Sequence, residues 1–522
     1  MADRPQPLGA AGAAGLIAAA VVLALTLGTA LLTLSRAQGV ARLGAADWAA
    51  IRFTLGQAAI SAGLSVALAI PVARALARRR FAGRAALVTL LGAPFILPVI
   101  VAVLGLLTVF GRNGWASAAL DLAGLPPLDI YGGHGVILAH VFLNLPLATR
   151  LILQGWLAVP SERFRLAADL GFGPPQIRRH IEWPMLREVC PGTLIVIFLV
   201  CTTSFAVALT LGGGPRATTV ELAIYQAFRF EFDLGKAALL ALVQLALSGV
   251  AALLALGLAV PQAAAGGLDR AVERWDAQGP WHRGGDAALI ALAAAFLVLP
   301  LLAIFLDGVP GLARMPASIW GAALRSLAVA LASGALTLAL ALPMALAAAR
   351  PRPGARMVEA AGYLSVAVSP LVIGVGLFLL VRPIANPTAL ALPVTALVNA
   401  AMSLPFALRA LIPAARATEA IYGPLADQLG LQGRARLRRL ILPRLRRPMG
   451  FAMALAAALS MGDLGVIALF TDPSAGTLPF ALYGLMGAYR MDAAAGAALI
   501  LLASSLALFW LFDRGGRLDA DT

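Results

Sequence analysis

The chain has 522 residues, of which 61% are hydrophobic and 12% charged, and its mean hydropathy is +0.88. A soluble chain of average composition is about 25% charged, so this composition indicates a membrane protein and excludes an ordinary soluble enzyme. The net charge of +15 comes from 40 basic and 25 acidic residues. Lys236 is the sole lysine and Ala237 follows it, which excludes a phosphate-binding loop of the G-x-x-x-x-G-K-[ST] type and hence an ATPase site of that kind.

Twelve apolar segments are long enough to cross a hydrocarbon layer of about 30 Å. The first is too long for a signal peptide and is predicted to be a transmembrane helix. The sequence therefore predicts an all-α membrane protein. The predicted spans are 9–34, 53–73, 85–110, 135–158, 192–213, 236–260, 286–306, 319–349, 357–381, 387–411, 449–470 and 494–512.

The basic residues of the loops predict the orientation. With both termini in the cytoplasm, 29 of the 40 basic residues lie on the cytoplasmic side, as the positive-inside rule requires. The two cysteines, Cys190 and Cys201, are interpreted as small core residues, and the four histidines match no metal-ligand spacing.

An internal repeat divides the chain into two halves with the same orientation. Residues 48–80 and 320–352 share their spacing at an offset of 272, whereas the later parts of the halves align at an offset of 259. The 13-residue difference is assigned to the segment 111–136. We predict a first half 1–260 with six spans, a cytoplasmic linker 261–285 and a second half 286–522 with six spans.

The loop after the fourth span of each half, residues 159–191 and 412–448, is long and follows one pattern. A short helix of small residues ends at a glycine suited to a left-handed turn, nine residues follow, and an apolar group with a proline begins the return to the membrane. This is the form of a helix that docks on another protein. The first copy comprises Arg165, Leu166, Ala167, Ala168, Asp169, Leu170, Gly171 and Pro184, and the second Pro424, Leu425, Ala426, Asp427, Gln428, Leu429, Gly430 and Pro443.

At these residues the chain resembles the inner-membrane permeases of type I ABC importers, whose loop reads E-A-A-x-x-x-G, nine residues, then I-x-L-P. The glutamate of that pattern is replaced by Arg165 and Pro424, which puts in question any salt bridge that it would make. The resemblance implies partners: two copies of a cytoplasmic ATPase subunit, which would bind ATP and Mg, and a periplasmic substrate-binding protein. It also implies a bacterial inner-membrane location, no cofactor in this chain, no catalytic residues and no nucleic acid.

A narrower resemblance rests on the segments 211–226, 460–470 and 477–483 and on Glu182-Trp-Pro-Met-Leu-Arg187. They are similar to the fused permeases of bacterial thiamine and thiamine pyrophosphate importers. Fused ferric-iron permeases share the architecture and remain the alternative. An ion-coupled secondary transporter is also considered, but the chain has few intramembrane ionisable residues, and a membrane enzyme is disfavoured by the lack of a catalytic constellation.

Asp463, about 20 Å into the eleventh predicted span, is a candidate for the translocation path. Its carboxylate is expected either to attract a cationic substrate or to cap a broken helix. The segments after the fifth span of each half are candidate parts of a periplasmic gate, or else ordinary loops with aromatic membrane anchors. The candidate gate residues are Gly212, Gly213, Gly214, Thr219, Glu221, Tyr225, Thr477 and Tyr483.

Overall fold

The computed structural model describes residues 10–37, 43–92, 96–257, 274, 277–350, 354–470 and 475–517, which are helices and connecting turns without a strand. The predicted all-α class is confirmed. Most of the predicted linker 261–285 lies outside the described residues, as do the two termini.

The first half contains thirteen helices among its described residues. They are α1 (Ala10–Leu23), α2 (Thr29–Ala37), α3 (Ala45–Arg78), α4 (Arg84–Leu90), α5 (Val99–Phe110), α6 (Trp115–Asp121), α7 (Gly133–Ala158), α8 (Ser161–Asp169), α9 (Pro174–Ile177), α10 (Trp183–Thr202), α11 (Phe205–Leu211), α12 (Val220–Arg229) and α13 (Leu234–Gly257). A π-helical turn, Ala24–Gly28, joins α1 to α2.

The second half has ten helices in its described part. They are α14 (Pro280–Gly311), α15 (Ser318–Ala349), α16 (Ala355–Leu364), α17 (Pro370–Val381), α18 (Ala391–Gln428), α19 (Gly433–Arg436), α20 (Leu442–Met461), α21 (Gly465–Phe470), α22 (Leu478–Gly487) and α23 (Met491–Arg517). In the described part of the chain, ten helical segments are long and apolar enough to cross a membrane, and the pair α16–α17 is an eleventh candidate bent by 97°.

Four of the twelve predicted spans are interrupted. Spans 85–110, 192–213, 357–381 and 449–470 each consist of two helices. Pro98 precedes α5 and Pro370 begins α17, and a proline at these positions cannot donate the backbone hydrogen bond that would continue the preceding helix. The other two breaks fall at Ser204 and Asp463, which are 259 residues apart and therefore equivalent in the repeat.

Equivalent contacts support the repeat. The backbone N–H of Val220, the first residue of α12, donates to the Thr54 hydroxyl at 2.9 Å, and that of Leu478, the first residue of α22, donates to the Ser326 hydroxyl at 2.7 Å. The first half is predicted to have 13 extra residues within the segment 111–136, and helix α6 lies in that segment. The corresponding connection of the second half, residues 382–390, contains no helix.

The first helix of each half packs on the other half. Helix α1 contacts α15 and α16, α2 contacts α17, and α14 contacts α5 and α3. Glycines permit this close approach: a Cβ at Gly15 would lie 2.8 Å from the Pro343 carbonyl oxygen, and a Cβ at Gly105 would lie 2.6 Å from that of Pro300. The halves are therefore interlocked rather than merely adjacent.

Candidate functional site

The first predicted docking segment, called docking loop 1 (residues 159–191), forms a compact turn around α8. Gly171 adopts a φ of +68°, and the Phe172 N–H donates to the Ala167 carbonyl oxygen at 2.9 Å, which closes the helix as predicted. Phe164, Ala167 and Ile177 form a small buried cluster. The remaining motif residues are exposed: Arg165, Leu166, Ala168, Asp169, Leu170, Gly171 and Pro184.

Docking loop 2 (residues 412–448) repeats this geometry with one difference. Its first part continues the 38-residue helix α18, whereas α7 and α8 are separated by a break. Gly430 has a φ of +64°, and the Leu431 N–H donates to the Ala426 carbonyl oxygen at 2.9 Å. Ala426 is buried, and the exposed motif residues are Pro424, Leu425, Asp427, Gln428, Leu429, Gly430 and Pro443.

Each docking loop therefore presents two exposed leucines at equivalent positions. Leu166 and Leu170 are 59% and 62% exposed, and Leu425 and Leu429 are 53% and 66% exposed. An apolar pair held on a rigid helix is suited to contact with another protein.

A buried carboxylate anchors docking loop 1 to the rest of the bundle. Glu182 Oε1 accepts hydrogen bonds from Arg74 Nε at 2.9 Å and from Arg274 Nη1 at 2.7 Å. The Arg274 guanidinium also lies 5.2 Å from the centre of the Phe164 ring. Arg274 belongs to the predicted linker, so a residue between the two halves packs directly on docking loop 1.

A second carboxylate anchors docking loop 2. Glu419 Oε2 accepts from Arg350 Nη2 at 2.9 Å and from Arg436 Nη2 at 2.7 Å, and Arg436 Nη1 donates to Asp427 at 2.5 Å. Burial lowers the pKa of Arg436, but its hydrogen bonds to Asp427 and Glu419 outweigh this effect and raise the pKa above its ordinary value. Sequence reasoning missed the roles of Glu182 and Glu419, because their partners are distant in the chain.

Asp463 lies in the break between α20 and α21, beside a cavity of about 300 Å³, called the Asp463 cavity. Its Oδ1 accepts the Gly465 N–H at 3.2 Å, and its buried Oδ2 has no hydrogen-bond partner among the described residues. Asp463 thus caps the broken helix, which is one of the two expectations, and it also lines a cavity. Attraction of a cationic substrate stays a prediction. The repeat-equivalent prolines Pro98 and Pro370 line the cavity too, so both halves contribute to it.

The predicted gate segments meet at the ends of the long helices opposite the docking loops, here called the gate side. A cavity of about 400 Å³, called the gate cavity, is lined there by Gly213, Gly214, Tyr225 and Tyr483. The two tyrosines are 258 residues apart and follow the equivalent helix starts of α12 and α22 by the same distance. The predicted gate residues of both halves are therefore brought together.

The other candidate gate residues lie outside the lining of this cavity. Thr219 caps α12 by accepting the Leu222 N–H at 3.3 Å, and Thr477 precedes α22 at the equivalent position. Gly212 is buried where α11 ends. Glu221 is fully buried, and neither carboxylate oxygen has a hydrogen-bond partner in the described part of the chain.

Phe205 lies near both cavities without lining either of them. Its ring centre lies 5.2 Å from that of Tyr225, which lines the gate cavity. A Cβ added to Gly465 would lie 3.6 Å from the Phe205 ring, and Gly465 is the residue that donates to Asp463. Sequence reasoning did not single out Phe205, although it directly follows the break at Ser204.

A helical bundle of two repeated halves, each with a docking loop of the same geometry, defines a permease of the ABC-importer class. No family model matches the chain. It is 41% identical over 476 residues to the thiamine transport system permease protein ThiP of Brucella abortus (strain 2308), covering 90% of this chain and 87% of that protein.

Two further relatives carry the same name. The identity is 40% over 479 residues with ThiP of Escherichia coli (strain K12), covering 90% of this chain and 89% of the relative. It is 34% over 463 residues with ThiP of Haemophilus influenzae, with coverage of 87% and 86%. The chain belongs to this family of thiamine transport system permeases. Its apolar helices agree with a multi-pass inner-membrane protein.

Proposed function

We propose that this chain is the membrane-spanning subunit of an ATP-driven importer for thiamine or thiamine pyrophosphate. The observation that carries the proposal is the similarity to permeases named for thiamine transport over about nine-tenths of the chain. The resemblance seen in the sequence and the cavity at Asp463 support it, since thiamine contains a cationic thiazolium ring.

In this proposal the docking loops face the cytoplasm and each binds one of two ATPase subunits. The excess of basic residues on that side supports the orientation, with both termini in the cytoplasm. ATP and Mg are bound by the ATPase subunits, and this chain has no ATPase site of its own. The gate side faces the periplasm, where a binding protein delivers the substrate.

Closure of the ATPase subunits would move the two docking loops together. Because Glu182 and Glu419 tie the loops to arginines near the ends of α3 and α15, this movement would pass into the bundle and open the gate side. Hydrolysis of ATP would then close the gate side again and open the Asp463 cavity to the cytoplasm.

Asp463 would hold the cationic ring during passage. A carboxylate and a cation about 4 Å apart attract each other by about 4 kcal/mol at an effective dielectric constant of 20. The Gly465 N–H binds only Oδ1, and Oδ2, which is buried without a hydrogen-bond partner among the described residues, would be uncovered for the substrate when the cavity opens.

Uptake by the reconstituted complex tests the proposal. The permease, its ATPase subunits and its binding protein are placed in proteoliposomes, and radiolabelled thiamine and ferric iron are supplied in parallel. We expect ATP-dependent accumulation of thiamine that requires the binding protein. Accumulation of ferric iron without thiamine would replace this proposal with the ferric-iron alternative, and uptake driven by an ion gradient without ATP would indicate a secondary transporter.

A further inference from the structure

The gate cavity has the size and the lining of a ligand-binding site. Its volume of about 400 Å³ lies in the range of sites that hold small organic ligands. The gate cavity and the Asp463 cavity have no lining residue in common. A molecule in the gate cavity would therefore occupy a site of its own.

Aromatic side chains from both halves form part of its wall. Tyr225 and Phe230 come from the first half, with ring centres 5.7 Å apart in an edge-on arrangement, and Tyr483 comes from the second half. Tyrosine faces attract both flat rings and cations, by about 0.5–1 kcal/mol at exposed sites and about 2 kcal/mol when water is excluded. Because Tyr483 belongs to the other half, the wall is complete only while the two gate segments are together.

The charged residues of the cavity favour a cation. Lys236 Nζ lies 2.9 Å from Glu231 Oε2 and 3.7 Å from Asp47 Oδ1, and all three side chains line the cavity. The ammonium group balances one of the two carboxylates, which leaves these three residues with a net charge of −1. The Gln226 side chain adds an uncharged hydrogen-bonding group to the lining.

We propose that the gate cavity is an outer binding site for a flat, cationic heteroaromatic ring, which occupies it before moving on to the Asp463 cavity. This inference rests on the proposed function, since it assigns the first stop of the same substrate. It adds an order of preference: the gate cavity binds cationic thiamine more tightly than thiamine pyrophosphate, whose phosphates face Asp47 and Glu231.

Binding to the permease–ATPase complex in lipid nanodiscs, without binding protein or nucleotide, tests the proposal. Thiamine is the probe, and equilibrium dialysis gives its Kd. We expect Tyr483→Leu to weaken binding about fivefold, corresponding to the loss of about 1 kcal/mol of cation–π attraction. Tyr483→Phe keeps the aromatic face and should bind within about twofold of the unmodified protein. Glu231→Gln should weaken thiamine binding and reduce the preference over thiamine pyrophosphate.

Matched controls separate local from general effects. Tyr489→Leu removes a tyrosine that is 90% exposed and outside the gate cavity, and Asp121→Asn removes an exposed carboxylate. Both should leave the Kd unchanged.

The outcomes distinguish this site from the proposed function. If the proteoliposomes take up thiamine but the complex does not bind it, or binds it equally with Tyr483→Leu and Glu231→Gln, the outer site is overturned and the transport function stands. If binding is lost only with Asp463→Asn, the ligand occupies the Asp463 cavity and the outer site is again overturned. Failure of thiamine uptake with the unmodified protein would refute the proposed function itself.

Discussion

Asp463 has a role in the fold, as the cap of a helix break, and a role in the proposed transport, as a carboxylate beside a cavity. Its position in the break between α20 and α21 is repeated at Ser204 in the first half, but only the second half places a carboxylate there. The break exposes a backbone N–H at Gly465 that one carboxylate oxygen accepts. The same residue can therefore stabilise the break and leave a second oxygen for a substrate.

Replacing Asp463 by asparagine should reduce thiamine uptake about tenfold, which corresponds to about 1.4 kcal/mol. Asparagine keeps an oxygen that can accept the Gly465 N–H, so the break should persist while the negative charge is lost. Initial uptake rates in proteoliposomes measure the effect, with Asp121→Asn as the control for a carboxylate outside both cavities. Unchanged uptake by Asp463→Asn would remove this residue from the substrate path.

A second prediction at the residue scale concerns Phe205. Truncation by Phe205→Ala should loosen the packing near both cavities, because Phe205 is 6% exposed and lies close to Tyr225 of the gate cavity and to Gly465 beside Asp463. We expect preloaded thiamine to leak several-fold faster from proteoliposomes without ATP. A Phe→Ala change in a core costs about 3–5 kcal/mol, so folding must be verified by size-exclusion chromatography.

Two variants make the test of Phe205 specific. Phe205→Leu introduces the residue type found at the repeat-equivalent position, Leu464, and should leak less than Phe205→Ala. Phe451→Ala removes a partly exposed ring remote from the cavities and should not leak. Equal leakage from Phe205→Ala and Phe451→Ala would show that Phe205 does not form the barrier.

At the scale of elements, the two docking loops have similar exposed surfaces but different buried contacts. In docking loop 1, Ile177 belongs to an apolar cluster. The repeat-equivalent residue of docking loop 2 is Arg436, which forms salt bridges with the carboxylates of Glu419 and Asp427. Both solutions leave the leucine pair exposed and turn the chain at a glycine with positive φ. The turn is therefore the feature common to both loops.

Gly430→Ala should destabilise docking loop 2 by about 1 kcal/mol through backbone conformation alone, because no atom lies within 4 Å of the added Cβ and the φ of +64° is unfavourable for alanine. Weaker co-purification of the ATPase subunits measures the effect. Gly284→Ala, in the helical part of α14 with equally open space, should have no such effect. If the two variants retain the ATPase equally, the left-handed turn is not needed for docking.

Local spacing was sufficient to predict these loops, since the helix, the glycine and the proline lie within about twenty residues of one another. It could not predict their anchors. Arg274 reaches Glu182 across 92 residues and Arg350 reaches Glu419 across 69, and such pairs depend on tertiary packing. The helix breaks were missed for a related reason: apolar composition records membrane burial, whereas a break at Ser204 or Asp463 requires neighbouring helices to satisfy the freed backbone groups.

At the scale of the whole molecule, the repeat describes the sequence better than it describes the packing. Each half contains its own six predicted spans, but α1 packs on α15 and α16 and α2 packs on both α17 and α13, while α14 packs on α5 and α3 of the first half as well as on α23 of its own. Pro300 of α14 lies against Gly105 of α5, and Leu297 and Ile304 of α14 are almost fully buried. The predicted boundary in the linker therefore falls between α14 and one part of its packing surface.

Fragments test this interlocking. A fragment 1–260 ends before α14 and leaves the α5 surface at Gly105 uncovered, whereas a fragment 1–315 retains α14 on that surface. We expect 1–315 to accumulate in the membrane and resist limited proteolysis better than 1–260, and co-expression of 1–260 with 261–522 to restore the resistance of both. The effect should be measurable, because helices in lipid associate mainly through close van der Waals packing, and fragment 1–260 lacks the α14 surface that packs on α5 at Gly105. If 1–260 alone is as resistant as 1–315, the first half folds independently, and α14 contributes to assembly rather than to the stability of the first half.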